Sequence, residues 1–359
     1  MNLALVEKIA KAVLYEGYML YPYRSSALKN QKRWNFGVLY PRSYSQAQTG
    51  PDAWMMQTEC LVEGSPRSEL EARIRFLQLV ERTVGEMTLP AGELQPGETA
   101  NFQLVDKLEV DGNIFHPWQE AVEREISLPI CNLADLSCKP CVQPFTLPAE
   151  KQLEPLRDRS GQTVGIIIRK RELIRGSVLV SSEKVSGEGV KNIVFRVCVR
   201  IQNETPWEGS ASLTRDQALL QSVVSTHTIM GVEDGAFVSA VDPPESVREL
   251  AADCHNLGTW PVLVGEEGQH ETMLSSPIIM YDYPQIAPES AGDLFDGTEI
   301  DEILSLRIMT LTDEEKREMR QSDERARGLL ERTETLPIEQ LMKLHGVLRG
   351  MRRLKEDTP

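Results

Sequence analysis

Three cysteines and one histidine in the middle of the chain have residue types and spacings that could bind a metal. They are Cys131, Cys138 and Cys141, in the pattern Cys-x6-Cys-x2-Cys, with His116 upstream. Cys-x2-Cys spacing suits tetrahedral zinc, which takes thiolate and imidazole ligands. A strong zinc signal has two such pairs and this chain has one. Iron–sulfur ligands, free thiols in an irregular segment and a redox dithiol are therefore alternative interpretations.

A catalytic site would have to be assembled from residues that are distant in the sequence. The polar candidates are Cys60, His227, Cys254 and Asp282. His255 follows Cys254 directly, but a nucleophilic thiol needs a base near it in space, and adjacent side chains rarely meet. The sequence contains no Walker loop, no Gly-x-Gly-x-x-Gly and no Gly-x-Ser-x-Gly. These absences disfavour a nucleotide hydrolase, a dinucleotide enzyme and an α/β-hydrolase.

The charge of the chain is acidic overall and uneven. The formal net charge of −15 argues against a nucleic acid as the main partner, because phosphate binding needs clustered Lys and Arg. Residues 1–42 hold seven basic and two acidic residues, whereas residues 286–318 hold ten acidic and three basic. These ends could face each other or face different partners. They predict an interaction surface with the candidate residues Arg24, Lys29, Lys32, Arg33, Asp293, Asp296 and Glu299.

The N-terminus and the apolar pattern predict a cytoplasmic protein without membrane insertion. Lys8 and Lys11 interrupt the first apolar run, which is unlike a signal peptide. No apolar stretch approaches the roughly 18 residues of a membrane span. Six cysteines in a chain of 359 residues do not make a disulfide framework, and cytosolic thiols stay reduced.

Hydrophobic periodicity predicts an α+β fold with a β-rich, sandwich-like body of antiparallel sheets. Val6, Ile9, Ala10 and Val13 recur at helical spacing, which indicates a helix over residues 3–16. Asp-Gly-Asn at residues 111–113 is a hairpin signal. Strands are predicted over residues 34–40, 53–62, 70–84, 101–110, 114–128, 163–184, 190–203 and 260–264.

Proline-rich segments suggest four regions. Residues 1–130 would form an N-terminal helix and an antiparallel β domain, and residues 131–160 a Pro-rich linker. Residues 161–285 would form a second β-rich region with one helix, and residues 286–359 an acidic loop with a helical tail. Within these regions, residues 277–281 read as a buried strand. Thr312 and Glu315 form a capping box that would open a tail helix.

Several long segments resemble an uncharacterised bacterial protein family. They include YEGYMLYPYR, STHTIMGVEDGAFVSAVDPPE, LGTWPVLVGEEG and the stretch from SSPIIMYDYPQIAPES to LTDEEKREM. The family is associated with gene clusters for oxygen-tolerant uptake NiFe hydrogenases, and the resemblance spans nearly the whole chain. It implies an accessory, assembly or interaction role around that hydrogenase. It implies no reaction and supplies no catalytic residues.

These observations together predict a non-enzymatic accessory protein of NiFe-hydrogenase maturation. Its partner would be a hydrogenase subunit or a maturation factor, and it would need no cofactor unless the cysteine cluster holds zinc or an iron–sulfur cluster. The alternative is an enzyme whose site joins Cys60, His227, Cys254 and Asp282. A deep pocket that joins these groups would favour the enzyme, and a large exposed apolar or charged patch would favour the binding protein.

Overall fold

The computed structural model describes residues 3–14, 35–91, 101–187, 192–207, 214–285, 308–322 and 324–335. Within these ranges the strands are β1 (Met55–Ala91), β2 (Phe102–Val105), β3 (Leu108–Val110), β4 (Asn113–Phe115), β5 (Trp118–Ser127), β6 (Cys131–Asn132), β7 (Cys141–Leu147), β8 (Glu150–Arg157), β9 (Thr163–Arg171), β10 (Ile174–Val185), β11 (Ile193–Asn203), β12 (Val223–Phe237), β13 (Trp260–Leu263) and β14 (Thr272–Ser276). The helices are α1 (Leu3–Leu14), α2 (Arg42–Ala47), α3 (Leu133–Cys138), α4 (Arg215–Leu220), a 3₁₀ turn (Glu245–Val247), α5 (Arg248–Ala252), α6 (Asp313–Ser322) and α7 (Glu324–Thr335).

The 37-residue strand β1 organises the body. Its first part pairs with β11, its middle with β12 and β5, and its last part with β9 and β2. Two register shifts against β12, between Gly64 and Glu69 and between Arg75 and Leu77, let one strand bend from one set of partners to the next. All these pairs are antiparallel, as the sequence predicts.

The sheet continues on both sides of β1. One path runs β13-β14-β12-β1-β11-β10-β7, and β8 joins through β9. The strands β3 and β4 form a separate hairpin, whose turn places Asp111 and Gly112 at φ 51° and 82°. Asp-Gly is favoured in two-residue hairpin turns with positive φ at both central positions. The pairing of β3 with β4 around this turn confirms the predicted hairpin. The α+β, β-rich antiparallel fold class is confirmed as well.

The helix α1 covers the face of the sheet that β12 and β14 present. Val6, Ile9, Ala10 and Val13 are buried and pack against Ile229 and other apolar residues of these strands. This face is the apolar stripe predicted from the sequence. In the tail, α6 packs on β4, and the Arg317 Nη1 donates a hydrogen bond to the Gly112 carbonyl at 3.2 Å. The Thr312–Glu315 capping box is present at the start of α6.

Several predictions from the sequence differ from the structure. Residues 131–160 form β6, α3, β7 and β8 instead of a linker. Pro144 lies in β7 and Pro155 in β8, which are edge strands in the described part of the chain, and an edge strand tolerates a residue that lacks an N–H donor. The strand expected at residues 277–281 is wrong, because the strand β14 ends before Pro277.

Close packing between β10 and its paired strands β7 and β11 leaves no space for a side chain at Gly176. A Cβ there would lie 2.4 Å from the Phe145 Cζ and 2.5 Å from the Gln202 carbonyl oxygen. We therefore expect Gly176→Ala to lower the free energy of unfolding by about 1–3 kcal/mol, as overpacked cores do. Gly50→Ala is the control, because its Cβ would meet nothing within 4 Å. Urea unfolding followed by circular dichroism measures both, and equal midpoints would refute the close packing.

Candidate functional site

A cavity of about 300 Å³ lies beside the start of β1. The segment of residues 35–40 forms one wall, and three hydrogen bonds hold it to β12 and to Ala53. The Leu39 N–H donates to the Val223 carbonyl at 2.9 Å, the Tyr40 N–H donates to the Ala53 carbonyl at 2.8 Å, and the Ser225 N–H donates to the Phe36 carbonyl at 3.0 Å. The other walls come from residues 51–56, Arg215 and Gly258.

Two buried polar atoms on residues beside the cavity have no hydrogen-bond partner in the part of the chain that the structure describes. The Tyr40 side chain is 2% exposed and its hydroxyl group is unpaired, and the Asn35 Oδ1 is also buried and unpaired. Burying an unpaired polar group costs on the order of 1–3 kcal/mol. Most such groups in folded proteins are therefore satisfied by the protein, by water or by a ligand.

An ion pair lies at the edge of this cavity. The Arg215 Nη2 donates to the Asp52 Oδ1 at 2.9 Å, and its Nε donates to the Asp52 Oδ2 at 3.1 Å. The guanidinium carbon lies 5.2 Å from the centre of the Tyr40 ring. This bidentate pairing balances the charge of the guanidinium, so the cavity has no uncompensated charge from Arg215.

Burial raises the pKa of Tyr40 well above its ordinary value, and the nearby Asp52 raises it further. The hydroxyl group therefore keeps its proton at neutral pH and can donate a hydrogen bond. The described residues that line the cavity include neither His nor Cys. Among these described lining residues, no thiol or hydroxyl group is paired with a histidine that could act as its base.

Two of the four residues of the enzyme hypothesis are cysteines, Cys60 and Cys254, and both thiols have raised pKa values. The Cys60 thiol is fully buried, and burial raises its pKa well above the ordinary value, with Cys254 and Cys198 near enough to add to the effect. Burial likewise raises the pKa of Cys254 to about 11. Thiols with such pKa values are almost entirely protonated at pH 7 and are poor nucleophiles.

His227 and Asp282 lie at other places in the fold. The His227 ring is fully buried in β12, and its Nδ1 lies 2.8 Å from the Ser225 carbonyl oxygen. The Asp282 carboxylate accepts hydrogen bonds from the Ser239 hydroxyl at 2.5 Å and from the Leu263 N–H at 2.8 Å. It ties the segment after β14 to β13, which is a structural role.

The structure brings together two of the predicted metal ligands. The Cys131 thiol donates to the Pro129 carbonyl at 3.2 Å, and burial, with a smaller effect of the nearby Cys141 thiol, raises the pKa of Cys131 to about 11. Cys138 is exposed at the end of α3, and the His116 Nδ1 lies 2.8 Å from the Asp106 carbonyl oxygen. Among the described residues, no group of three or more His, Cys, Asp or Glu is placed to hold a metal ion.

The predicted interaction residues Arg24, Lys29, Lys32, Arg33, Asp293, Asp296 and Glu299 lie outside the described residues. The cavity residues were not predicted from the sequence. The strand expected over residues 34–40 is wrong, because in residues 35–40 only Leu39 forms a β-bridge, with Val223. Asp52 and Arg215 are 163 positions apart. No local motif joins them.

Comparison of the chain with protein-family models, with curated proteins and with solved structures found no match. In the described ranges, no helix is long and apolar enough to cross a membrane.

Proposed function

We propose that the chain is a non-enzymatic accessory protein of NiFe-hydrogenase maturation or assembly. It acts in the cytoplasm by binding a hydrogenase subunit or a maturation factor. The resemblance of its long segments to a hydrogenase-associated family supplies the biological setting. The observation that supports binding in place of catalysis is an exposed apolar surface beside β13, which we call the edge patch and define as Trp260, Ile279 and Tyr281.

The edge patch consists of large apolar side chains at the margin of the sheet. Trp260, Ile279 and Tyr281 are 43%, 73% and 83% exposed. Trp260 pairs with Ser276, only three residues before Ile279. Ile278 and Met280 pack into the core under α1, whereas Ile279 and Tyr281 between and after them are exposed. Exposed aromatic residues that cluster at one margin are typical of protein interaction sites.

The backbone of β13 is partly covered. The Tyr283 N–H donates to the Leu263 carbonyl at 2.7 Å, and the Leu263 N–H donates to the Asp282 carboxylate. Pro261 has no N–H of its own. A partner would therefore bind the patch through side-chain contacts and would not add a strand to the sheet. The oppositely charged ends of the chain would speed its encounter with a charged partner.

The test is a triple variant, Trp260→Ser with Ile279→Ser and Tyr281→Ser, compared with Leu104→Ser and Leu153→Ser. The two control residues are also exposed and apolar but lie on β2 and β8. We expect the triple variant to bind purified hydrogenase subunits more than tenfold more weakly, because aromatic anchors dominate interface energies. The controls should bind normally, and all variants should unfold within about 0.5 kcal/mol of the parent.

The same variants can be tested in cells. A strain that lacks the gene should accumulate unprocessed hydrogenase subunits and lose hydrogenase activity. The parent gene and the two control variants should restore both, and the triple variant should not. Normal amounts of mature, active hydrogenase in the deletion strain would overturn the maturation role. Restoration by the triple variant would overturn the role of the edge patch alone.

A further inference from the structure

We propose that Cys131 and Cys141 form a reversible disulfide that locks the connection between β6 and β7. Such a bond goes beyond the proposed accessory function and does not depend on it. All six cysteines of the chain are free thiols in this structure. What distinguishes this pair is that the fold brings the two side chains together where both are partly exposed.

The connection that contains α3 leaves β6 and returns to β7 beside the same part of β10. The Leu133 carbonyl, at the start of α3, accepts a hydrogen bond from the Ser182 hydroxyl at 2.5 Å. Cys141 pairs with Val180, which lies two residues before Ser182 on β10. Because Leu133 comes only two residues after Cys131, the two cysteines are held at the same place on the sheet.

The two thiols are neighbours at the margin of the main apolar core. Both side chains are partly buried and pack against the core cluster that includes Phe145 and Val180. Burial is the main cause that raises the pKa of Cys131 to about 11, and direct interaction with the Cys141 side chain is the second. Cys138, in contrast, is exposed at the end of α3.

A bond between these thiols would close a ring of strands around the core. The strand β6 pairs with β1, β1 with β11, β11 with β10, and β10 with β7. Cys131 lies on β6 and Cys141 on β7, at the two ends of this run. Only two residue pairs join β6 to β1, and β7 is an edge strand within the described ranges. The disulfide would therefore hold the two least supported strands of the ring.

The bond can form by exchange with a small disulfide such as oxidised glutathione. One cysteine thiolate attacks a sulfur of glutathione disulfide, which breaks that S–S bond and releases one glutathione thiolate. The second cysteine thiolate attacks the protein sulfur of the mixed disulfide and releases the second glutathione. Two protein thiols are thereby oxidised and lose their protons, and one glutathione disulfide is reduced to two thiols.

The burial of Cys131 affects both the rate and the extent of this exchange. Because the thiolate is the nucleophile, a pKa of about 11 makes the reaction of Cys131 slow at pH 7 and faster at higher pH. Strongly oxidising dithiols have a stabilised reduced form, often a low-pKa thiolate, and Cys131 lacks this stabilisation. We therefore expect a disulfide that forms slowly and is stable once it has formed.

The test uses the full chain, reduced and then incubated with oxidised glutathione at pH 8.5 without oxygen. After acid quenching, unfolding and alkylation, mass spectrometry counts the free thiols. We expect the parent to lose two thiols, from six to four. Cleavage before Asp135 separates Cys131 from Cys138 and Cys141, so the expected bond joins two fragments, whereas a bond between Cys138 and Cys141 stays within one.

Variants assign the bond to the two cysteines. Cys138→Ser is the matched control and should still lose two thiols, whereas Cys131→Ser and Cys141→Ser should form no internal bond. Retention of all six thiols by the parent would overturn the proposal. A bond within the fragment that holds Cys138 and Cys141 would overturn it too, as would failure of Cys138→Ser to form one.

The locking role has its own measurement. Oxidation should raise the urea midpoint of the parent and of Cys138→Ser, because a cross-link restricts the unfolded chain. Dithiothreitol should return both midpoints to their starting values, and Cys141→Ser should not respond to the oxidant. A midpoint that stays the same or falls when the mapped disulfide is present would overturn the locking role.

Discussion

Replacing Glu120 by Ala is expected to lower the free energy of unfolding by about 3–5 kcal/mol, because the change leaves a buried guanidinium without its carboxylate. The Arg82 side chain is 3% exposed and the Glu120 side chain 16%, and their Nη1 and Oε1 atoms are 3.4 Å apart. Burial lowers the pKa of Arg82, and Glu120 opposes this shift. The Glu120 carboxylate therefore contributes to offsetting the cost of burying the cation.

Glu120 also joins two strands that lie on opposite sides of β1. Its Oε2 accepts a hydrogen bond from the Arg169 Nε at 2.8 Å, and the Arg169 Nη1 donates in turn to the Glu154 Oε2 at 2.5 Å. The ion pairs thus connect β1, β5, β9 and β8. Because the last part of β1 depends on these partners, the loss of Glu120 should weaken that whole part of the sheet.

The control is Glu154→Ala at the outer end of the same network. The Glu154 side chain is 53% exposed, and exposed ion pairs contribute about 0–1 kcal/mol. A double variant, Arg82→Met with Glu120→Leu, removes both charges and should recover most of the lost stability. Urea unfolding of the three variants measures these differences. Equal unfolding midpoints for Glu120→Ala and Glu154→Ala would show that the buried pair is not a major support.

The sequence predicted the helices whose signals are local. The apolar stripe of α1 and the capping box of α6 depend on residues within one or two turns, so periodicity and side-chain spacing suffice to find them. The Asp-Gly hairpin between β3 and β4 is found for the same reason. In each case the physical cause of the structure lies within about ten residues of the chain.

The same reasoning could not predict β1. Gly64 and Pro66 are typical of turns. They lie between the two strands expected from the sequence, over residues 53–62 and 70–84. In the structure this segment is a bulge within one long strand. A bulge and a loop share the same local residues, and pairing with β11 and β12, more than 100 residues away, decides between them.

The cavity could not be predicted either, because its polar groups come together only through sheet topology. Tyr40 is positioned by Ala53 and Arg215 by Asp52, and none of these residues has a distinctive spacing. What does mark the cavity is its shape, between residues 35–40, the start of β1 and Arg215. That property belongs to the folded chain and has no counterpart in the sequence.

The second large effect is expected at acid pH and arises from His227. Burial lowers the pKa of this histidine to about 4 from its ordinary value of 6.5, and the charge of Arg75 on the paired strand lowers it further, against the opposing effect of the Ser225 carbonyl. The ring lies on the α1 side of β12, since Ile229, two residues on, packs against α1. Its Nε2 has no hydrogen-bond partner within the described ranges, so a proton added there would find no acceptor among them.

The difference in pKa sets the direction of the pH effect. Between pH 6.5 and 4 the unfolded chain binds a proton at this position and the folded chain does not, so falling pH favours unfolding. The two pKa values imply that His227 removes about 3 kcal/mol of stability across this window, and nothing above it. Raising the pH above 6.5 should therefore bring no further gain from this residue.

His227→Leu should remove this part of the acid sensitivity, because leucine fills similar space and does not titrate. The quantity to measure is the difference in unfolding free energy between variant and parent, by urea unfolding at several values between pH 7.5 and 4. Taking the difference cancels the contribution of the carboxylates that both proteins share. It should shift in favour of the variant by about 3 kcal/mol as the pH falls from 6.5 to 4. A flat difference for His227→Leu would mean that the folded chain accepts the proton without cost.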